Sequence, residues 1–515
     1  MRLGREGIKF LVSSLFWVPL LLVFFWPTVS PLAETKTLRV AVASRVPSLG
    51  NPFASMISGG IHPSELTFDA LVKLAPNGQI LPMLATSWKA INPRTWIFVL
   101  RENVEFSNGE PFNASTIVSA LEYLKTGEAQ KYFLSAEVRG IESFRAIDDY
   151  TIEIRTSTPD AILPKRLSMF LMVPPRAWAE MGPEEFGLAP IGTGSFVLTD
   201  WGMQTGRYVL ELNRKSWRTS KHIDRVEFVI LAEQTSRAQA LMAGQIDVAY
   251  QVGFEDMESL EDMGFQIFTR LGAQVGGLTL PNIHKDSPLY DRRVRWALNH
   301  AINREEISKF LFKDVSPPVG QGAIPGVFGY NPDIQPYEFN PTKARALLAE
   351  AGYPDGFELD AKVLIQGLPD QAVMYQRIAQ DLAEVGVKVD FRAVFGPNWI
   401  RIWYSGNWEG ADIISHTHNS NSYYDVIRVI ENFSCKKVGA FFCLPDMLPT
   451  IEASNVNFDR ASRERQLQDM MSQFHDLAPS IILFPQPNIF AMTQQVQNVV
   501  FERERVQIDQ IIMID

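Results

Sequence analysis

Residues 292–312 read RRVRWALNHAINREEISKFLF, and this stretch contains the start signals of two successive helices. Asp291 can cap a first helix, because the apolar residues between 294 and 301 recur at helical spacing directly after it. Asn303, with Glu306 three residues later, has the pattern of a second helix start. The stretch therefore predicts two capped helices that meet head to tail and turn apolar faces to a core.

The residue choices in 292–312 resemble the VR-x-A-L-x-x-A-I-x-R-x-x-I segment of the extracytoplasmic solute-binding proteins of family 5, the peptide and nickel class of receptors for ABC importers. Further blocks resemble the same family: LATSW at 84–88, WIFVLRENVEFSNG at 96–109, IGTGSFVL at 191–198 and SRAQALMAGQIDV at 236–248. Ser195 stands where that family usually has proline. The resemblance runs in order from residue 38 to residue 501.

The resemblance implies an α/β, two-lobed periplasmic binding protein fold of the large class C type, with an extra subdomain in lobe one and two hinge strands between the lobes. We expect a signal peptide at 1–33, a lobe-one core at 34–74, 186–270 and 490–515, an extra subdomain at 75–185, and lobe two at 271–489. Residues 225–250 support a mixed α/β lobe independently, because they predict a strand, a helix that Gly244 ends, and another strand.

The N-terminus has the layout of a secretory signal. Basic residues before position 10 are followed by an uncharged apolar run at 10–26 and then by small residues up to Ala33, after which we expect cleavage. An uncleaved membrane anchor stays open as an alternative, because the apolar run is long. A cleaved chain without an N-terminal cysteine is expected to be free in the periplasm.

The charge excludes one class of partner. The net charge of −10 becomes −12 when three basic residues and one acidic residue leave with residues 1–33. An acidic surface repels phosphate backbones, so nucleic acid is not an expected partner. The remaining 482 residues exceed one ordinary core, which predicts at least two lobes in a monomer.

Cys435 and Cys443 are the two cysteines of the chain. In an exported protein they predict a structural disulfide, and two free buried thiols are the alternative. A two-cysteine metal site would need ligands that are not nearby in sequence.

The resemblance places the ligand between the lobes. One wall is expected from the loop after the first strand, at 48–53, which contributes Asn51. A second is expected from the helix with Trp399, Trp403 and Tyr404, and the two tryptophans, four residues apart, lie either in the core or in the pocket.

His416 and His418 alternate along the next strand, so both imidazoles are expected on one side of it. Three roles stay open for them: metal ligation, hydrogen bonding in the pocket, and simple exposure at a strand end. We assign no metal in advance, because two histidines are too few ligands for a complete site.

The segment after this strand departs from the family. Peptide-binding members place an aspartate there that pairs with the free ammonium of the peptide, whereas this chain has Asn419, with Asn421 close by. An asparagine offers dipoles and no charge, which puts ordinary free-amine peptides in doubt. Asp425 supplies the missing charge if the turn is longer than in the relatives.

These features predict a binding protein that delivers a peptide or peptide-like solute to the permease subunits of an ABC importer, without catalysis or cofactor. No H-E-x-x-H or G-x-S-x-G motif is present in the sequence. An oligosaccharide, an amine-blocked compound or a metal chelate is the alternative ligand. A secreted hydrolase and an anchored sensor are the rival functions.

Overall fold

The structure is a computed structural model that describes residues 35–46, 49–54, 63–220, 222–365, 371–437 and 439–514. The predicted signal peptide at 1–33 lies outside these residues. None of the helices within these ranges combines the length and the apolarity that a bilayer crossing requires. Positions 36–515 form one unit, to which everything below refers.

The chain first forms β1 (Thr37–Val42), α1 (Ser64–Thr67), β2 (Val72–Leu74) and β3 (Ile80–Pro82). A four-stranded antiparallel sheet follows, with β4 (Ala85–Asn92), β5 (Thr95–Leu100), β6 (Ile141–Asp148) and β7 (Thr151–Thr156) in the order β4-β5-β7-β6. Its helices are α2 (Ala114–Leu124), α3 (Phe133–Glu137), α4 (Leu163–Leu167) and α5 (Pro175–Leu188), the last kinked at Gly182. We call this sheet with its helices the subdomain.

The next elements are β8 (Phe196–Asp200), β9 (Arg207–Leu212), β10 (Arg225–Ile230), α6 (Gln234–Met242), β11 (Val248–Tyr250) and α7 (Asp256–Asp262). β1 pairs in parallel with both β10 and β11, so the predicted β-α-β unit encloses the first strand. Together with β1 and the subdomain, these elements make up lobe one.

Lobe two begins after β12 (Gln266–Thr279). It contains α8 (Arg292–His300), α9 (Arg304–Leu311), α10 (Pro341–Glu350), β13 (Phe357–Leu364), α11 (Gln371–Glu384), β14 (Val387–Val394), α12 (Gly396–Ser405), β15 (Ile413–Asn419), α13 (Ile427–Asn432), α14 (Leu448–Asn455) and α15 (Arg460–Leu477). The chain then returns through β16 (Ser480–Met492) to β17 (Val496–Gln497), β18 (Phe501–Glu502), β19 (Arg505–Val506) and β20 (Ile512–Met513).

β12 and β16 connect the two lobes. They lie side by side and antiparallel in the centre of a ten-stranded sheet of order β14-β13-β15-β12-β16-β11-β1-β10-β9-β8. β12 pairs with β15 of lobe two, and β16 pairs with β11 of lobe one. The register between β12 and β16 shifts between Leu271 and Val275 and again between Val275 and Gly277, and such irregularities interrupt the ladder and bend the strand.

The helical elbow that the sequence predicts is confirmed as α8 and α9. The Asp291 carboxylate accepts from the Arg293 amide at 2.8 Å, and Asn303 accepts from the Glu306 amide at 3.2 Å. Val294 and Leu298 are fully buried, and each contributes roughly 1.5–3 kcal/mol through apolar burial. The elbow therefore forms the core of lobe two and stays away from the cleft.

The sequence also predicts a helix through residues 61–71 that ends near Ala75, and this prediction is wrong beyond the first turn. Residues 61 and 62 lie outside the described part, α1 ends at Thr67, and the chain is extended at Phe68. The reason is the buried Asp69 carboxylate, which accepts hydrogen bonds from the side chains of Thr193 at 2.7 Å and Trp217 at 2.8 Å. Those partners come from distant sequence, so helical spacing alone could not reveal them.

The glycines of the 191–198 block have a packing role against α1. A Cβ atom on Gly192 would lie 1.9 Å from the Thr67 carbonyl oxygen, and one on Gly194 would lie 2.2 Å from that of Leu66. Any side chain would push the strand away from α1. The predicted disulfide is also confirmed, since Cys435 and Cys443 are bonded with their Cα atoms 4.6 Å apart.

Candidate functional site

A cavity of about 420 Å³ lies between the lobes, where β15 ends. Lobe one supplies most of its wall, and lobe two supplies Asn419, Asn421 and Ser422. Its volume falls within the usual range of small-ligand sites, roughly 300–1,000 Å³. Because both lobes line the cavity, hinge bending at β12 and β16 changes its size.

A hairpin near the C-terminus brings the two lobes together beside the cavity. β18 and β19 form it, with Arg503 at a positive φ of 60° in the turn. A guanidinium nitrogen of Arg503 donates to the Asn421 carbonyl at 3.1 Å, and the Asn421 amide donates to Glu504 at 2.6 Å. These bonds join the end of the chain, in lobe one, to the loop after β15.

Two of the carboxylates in the cavity wall are held in ion pairs of lobe one. Glu502 pairs with the Lys73 ammonium at 2.5 Å. Asp509 pairs with Arg218 at 2.6 Å, and the buried Asp69 holds the same guanidinium from behind at 2.5 Å. These carboxylates therefore have their counter-charges within the protein.

The third carboxylate of the wall, Glu65, pairs with Arg505. Arg505 also lies 3.8 Å from the carboxylate of Glu504. Arg101 differs from these residues, because its guanidinium carbon lies over the Trp217 ring, 4.3 Å from the centroid. Aromatic and apolar side chains complete the wall, among them Phe68, Leu74, Phe133, Met169 and Leu171.

Of the residues predicted to bind ligand, the cavity brings together Asn419 and Asn421. The Asn419 side chain lines the cavity, and its oxygen accepts from the Asn421 amide nitrogen at 2.9 Å. Asn51 lies elsewhere, in lobe one, where its oxygen accepts from the Phe53 amide at 3.0 Å and its nitrogen donates to Tyr132 at 3.3 Å. Asn51 therefore shapes its own loop.

Trp399, Trp403, His416 and His418 form an aromatic row inside lobe two. Trp399 and Trp403 stack at 5.7 Å between centroids, and Trp403 stacks on His416 at 5.3 Å. His416 and His418 contact each other at 4.1 Å, as their alternation along β15 requires. None of the four lines the interlobe cavity, and the side chain of Tyr404 lies outside the described part of the structure.

The two imidazoles of this row are buried and neutral. Burial lowers the pKa of His418 to about 3 and lowers that of His416 well below its ordinary value. His418 bonds to the Ser480 hydroxyl at 3.1 Å and stacks on Phe433. Across the described ranges, no group of three or more His, Cys, Asp or Glu side chains is arranged to hold a metal ion.

Asp425 also lies away from the cavity. Its fully buried carboxylate pairs with the Lys165 ammonium at 2.8 Å and with the Arg463 guanidinium at 2.6 Å. Burial by itself would raise the pKa of Asp425, but the two cations outweigh burial and hold this pKa at about 2. Asp425 therefore connects the subdomain to lobe two and is not free to receive an ammonium group.

Sequence reasoning missed Arg101, Arg503 and Trp217, which line the cavity. Arg101 lies inside the block at 96–109, and its position there indicates only the end of a strand. Arg503 lies in the alternating-charge run ERER at 502–505, and such a run at a turn was the one available signal.

The matches to known proteins concern the family and the fold of this chain. The profile described as bacterial extracellular solute-binding proteins, family 5 Middle, matches residues 79–438. Glutathione-binding protein GsiB of Pectobacterium atrosepticum is 28% identical over 371 residues, covering 71% of this chain and 70% of that protein. Heme-binding protein A of Haemophilus influenzae is 29% identical over 356 residues, covering 64% of each protein.

Among solved structures, the ABC transporter-associated periplasmic binding protein DppA from Helicobacter pylori, in complex with the peptide STSA, superimposes with a TM-score of 0.79. It is 21% identical, and the match covers 93% of this chain and 98% of that one. The α/β, two-lobed periplasmic binding protein fold expected from the sequence is thereby confirmed.

Proposed function

This chain belongs to the bacterial extracellular solute-binding proteins of family 5, and on that basis we propose that it captures a peptide-like solute for an ABC importer. The observation that carries this proposal is the cavity of about 420 Å³ between two lobes that β12 and β16 connect. Solute contacts made by both lobes exist only in the closed form, so binding shifts the population toward that form. The importer permease then recognises the closed receptor.

A short peptide is the favoured solute for two reasons. The names of the relatives include a glutathione-binding protein, and one similar solved structure contains a peptide. The cavity also combines the amides of Asn419 and Asn421 with an apolar wall, which suits a chain of peptide units with small side chains. Glutathione is therefore the first probe.

We further propose how the protein is exported and in which form it works. Residues 1–33 act as a signal peptide that is removed after Ala33, and the mature monomer works in the periplasm. We place the lobe boundaries near residues 271 and 489, within β12 and β16, as the sequence predicts. The receptor performs no chemistry on its solute, so the solute is released unchanged.

The test is binding by protein purified from the exported fraction without denaturation. Native mass spectrometry should show a bound solute in the size range of a short peptide, and calorimetry of the emptied protein should show one site. Ser422→Trp, which fills the cavity from lobe two, should weaken binding at least tenfold. Ser143→Trp, on an exposed face of the subdomain sheet, is the matched control and should bind like wild type.

Two results would contradict the proposal. Unchanged affinity in Ser422→Trp would place the solute outside this cavity. Release of a chemically altered product would indicate catalysis instead of transport.

A further inference from the structure

The charged groups of the cavity wall are unequally paired. Five cations line it, Lys73, Arg101, Arg218, Arg503 and Arg505, against three carboxylates, Glu65, Glu502 and Asp509. Each of those three carboxylates has a cationic partner in lobe one. Two further carboxylates, Asp69 and Glu504, stand behind the wall and pair with Arg218 and Arg505.

Arg101 and Arg503 are the two wall cations that have no carboxylate within salt-bridge distance among the described residues. The Nε of Arg101 donates to the Met83 carbonyl at 3.0 Å, and its ring-like plane lies over Trp217. Within the described ranges its terminal nitrogens bond to no protein group. This fixes the guanidinium and leaves its outer edge, which can hold a carboxylate through two parallel hydrogen bonds, available to a ligand.

Arg503, in the turn between β18 and β19, is the second of these cations. One terminal nitrogen donates to the Asn421 carbonyl at 3.1 Å, while the buried Nε has no hydrogen-bond partner in the described structure. Burial lowers the pKa of Arg503 and the neighbouring Arg505 lowers it further, while the charges of Glu504 and Glu65 raise it only in part. The Arg503 side chain is half-buried, and its buried, unbonded Nε carries a desolvation cost that an anion beside the guanidinium would offset.

We propose that the cavity selects solutes that carry a side-chain carboxylate in addition to their peptide unit, and that Arg101 and Arg503 are the specificity-determining residues. The inference rests on the proposed function and goes further, because it states the charge of the solute. The described wall offers no unpaired carboxylate to a cationic solute, so nothing comparable offsets the cost of removing that charge from water.

The experiment uses an equimolar mixture of four tripeptides, Ala-Xaa-Ala with Glu, Gln, Lys or Leu in the middle. The full-length exported protein, freed of its solute, is incubated with the mixture, and the retained peptides are quantified by mass spectrometry. Glu and Gln have nearly the same shape, so their ratio reports charge alone. The wild-type protein should retain the Glu peptide about tenfold over the Gln peptide, the difference expected between a charge-assisted and a neutral hydrogen bond.

Four variants assign that preference to residues. Arg101→Met and Arg503→Met should each lower the Glu-to-Gln ratio toward one, whereas Arg101→Lys should keep part of it. Arg145→Met removes a charge from an exposed side chain of the subdomain and should leave the ratio unchanged. A purely structural role of the arginines would change the affinities for both peptides together and would not move their ratio.

The outcomes separate the inference from the proposed function. Equal retention of the Glu and Gln peptides by wild-type protein, or a preference for the Lys peptide, overturns the inference while peptide binding stands. Retention of no peptide above a protein-free control refutes peptide capture itself and removes the basis of the inference with it.

Discussion

Replacing Asp425 by asparagine removes the one negative charge from a buried cluster that joins the subdomain to lobe two. The Asp425 carboxylate lies 2.8 Å from the Lys165 ammonium of α4 and 2.6 Å from the Arg463 guanidinium of α15. Asp425 is 0% exposed, and both cations are also buried. Asp425→Asn therefore leaves two cations side by side without a counter-charge.

The charges of the cluster predict that substitutions at Asp425 and Lys165 lower the free energy of unfolding by different amounts. Asp425→Asn should lower the free energy of unfolding by about 3–5 kcal/mol, the usual cost of orphaning a buried charge. Lys165→Met should cost less, about 1–2 kcal/mol, because the Asp425–Arg463 pair stays neutral. The double variant leaves one unpaired cation in place of two, so its cost should fall below the sum of the single costs.

The pH dependence of unfolding supplies a second readout of the same carboxylate. The pKa of Asp425 is held at about 2, below its ordinary value of 3.8. Its contribution is fully present above about pH 4 and is lost as the pH falls through about 2, in total about 2 kcal/mol. Asp425→Asn should lack this part of the acid-induced loss.

The assay is urea unfolding of the four proteins at neutral pH, followed by fluorescence and circular dichroism. Asp333→Asn, at an exposed aspartate, is the control and should change stability by less than about 0.5 kcal/mol. Because the cluster bridges the lobes, Asp425→Asn should also weaken solute binding by disfavouring closure. A loss below about 1 kcal/mol in Asp425→Asn, or a Lys165→Met variant that is equally destabilised, would refute the charge argument.

Three other predictions test separate parts of the structure. Asn419→Asp adds a charge in the cavity without changing shape, so affinity for free-amine peptides over N-acetylated ones should rise about tenfold in calorimetry; an unchanged ratio would contradict it. The pKa of His418 is about 3 in the folded protein and about 6.5 in the unfolded chain, so the free energy of unfolding falls as the pH falls below 6.5. His418→Gln should remove about 2 kcal/mol of that fall between pH 6.5 and 5. If wild type and His418→Gln lose the same free energy of unfolding over this pH range, measured by urea unfolding at each pH, then this imidazole is not kept neutral. Changing both Cys435 and Cys443 to serine should cost about 2.5 kcal/mol, the loop-closure entropy of an eight-residue separation, and reductant should then no longer alter the urea midpoint.

Features that depend on near neighbours in the chain could be predicted from the sequence. The Asp291 and Asn303 caps bond to amides two and three residues away, so the elbow of α8 and α9 could be located without any tertiary information. The same holds for Asn340, which caps α10 by accepting from the Lys343 amide at 2.9 Å. The disulfide could also be predicted, since Cys435 and Cys443 are only eight residues apart in the chain. Ordered family blocks supplied the two-lobed fold.

The roles of the polar side chains, in contrast, depend on contacts between distant parts of the chain. Asp425 looked available to a ligand, but its partner Lys165 lies 260 residues earlier in the chain. Conversely, Arg101 looked like the end of a strand, and it reaches the cavity because the fold carries Trp217 and the C-terminal hairpin to the same place. Whether a charge is satisfied depends on partners that chain folding brings within about 4 Å, and no local pattern encodes that distance.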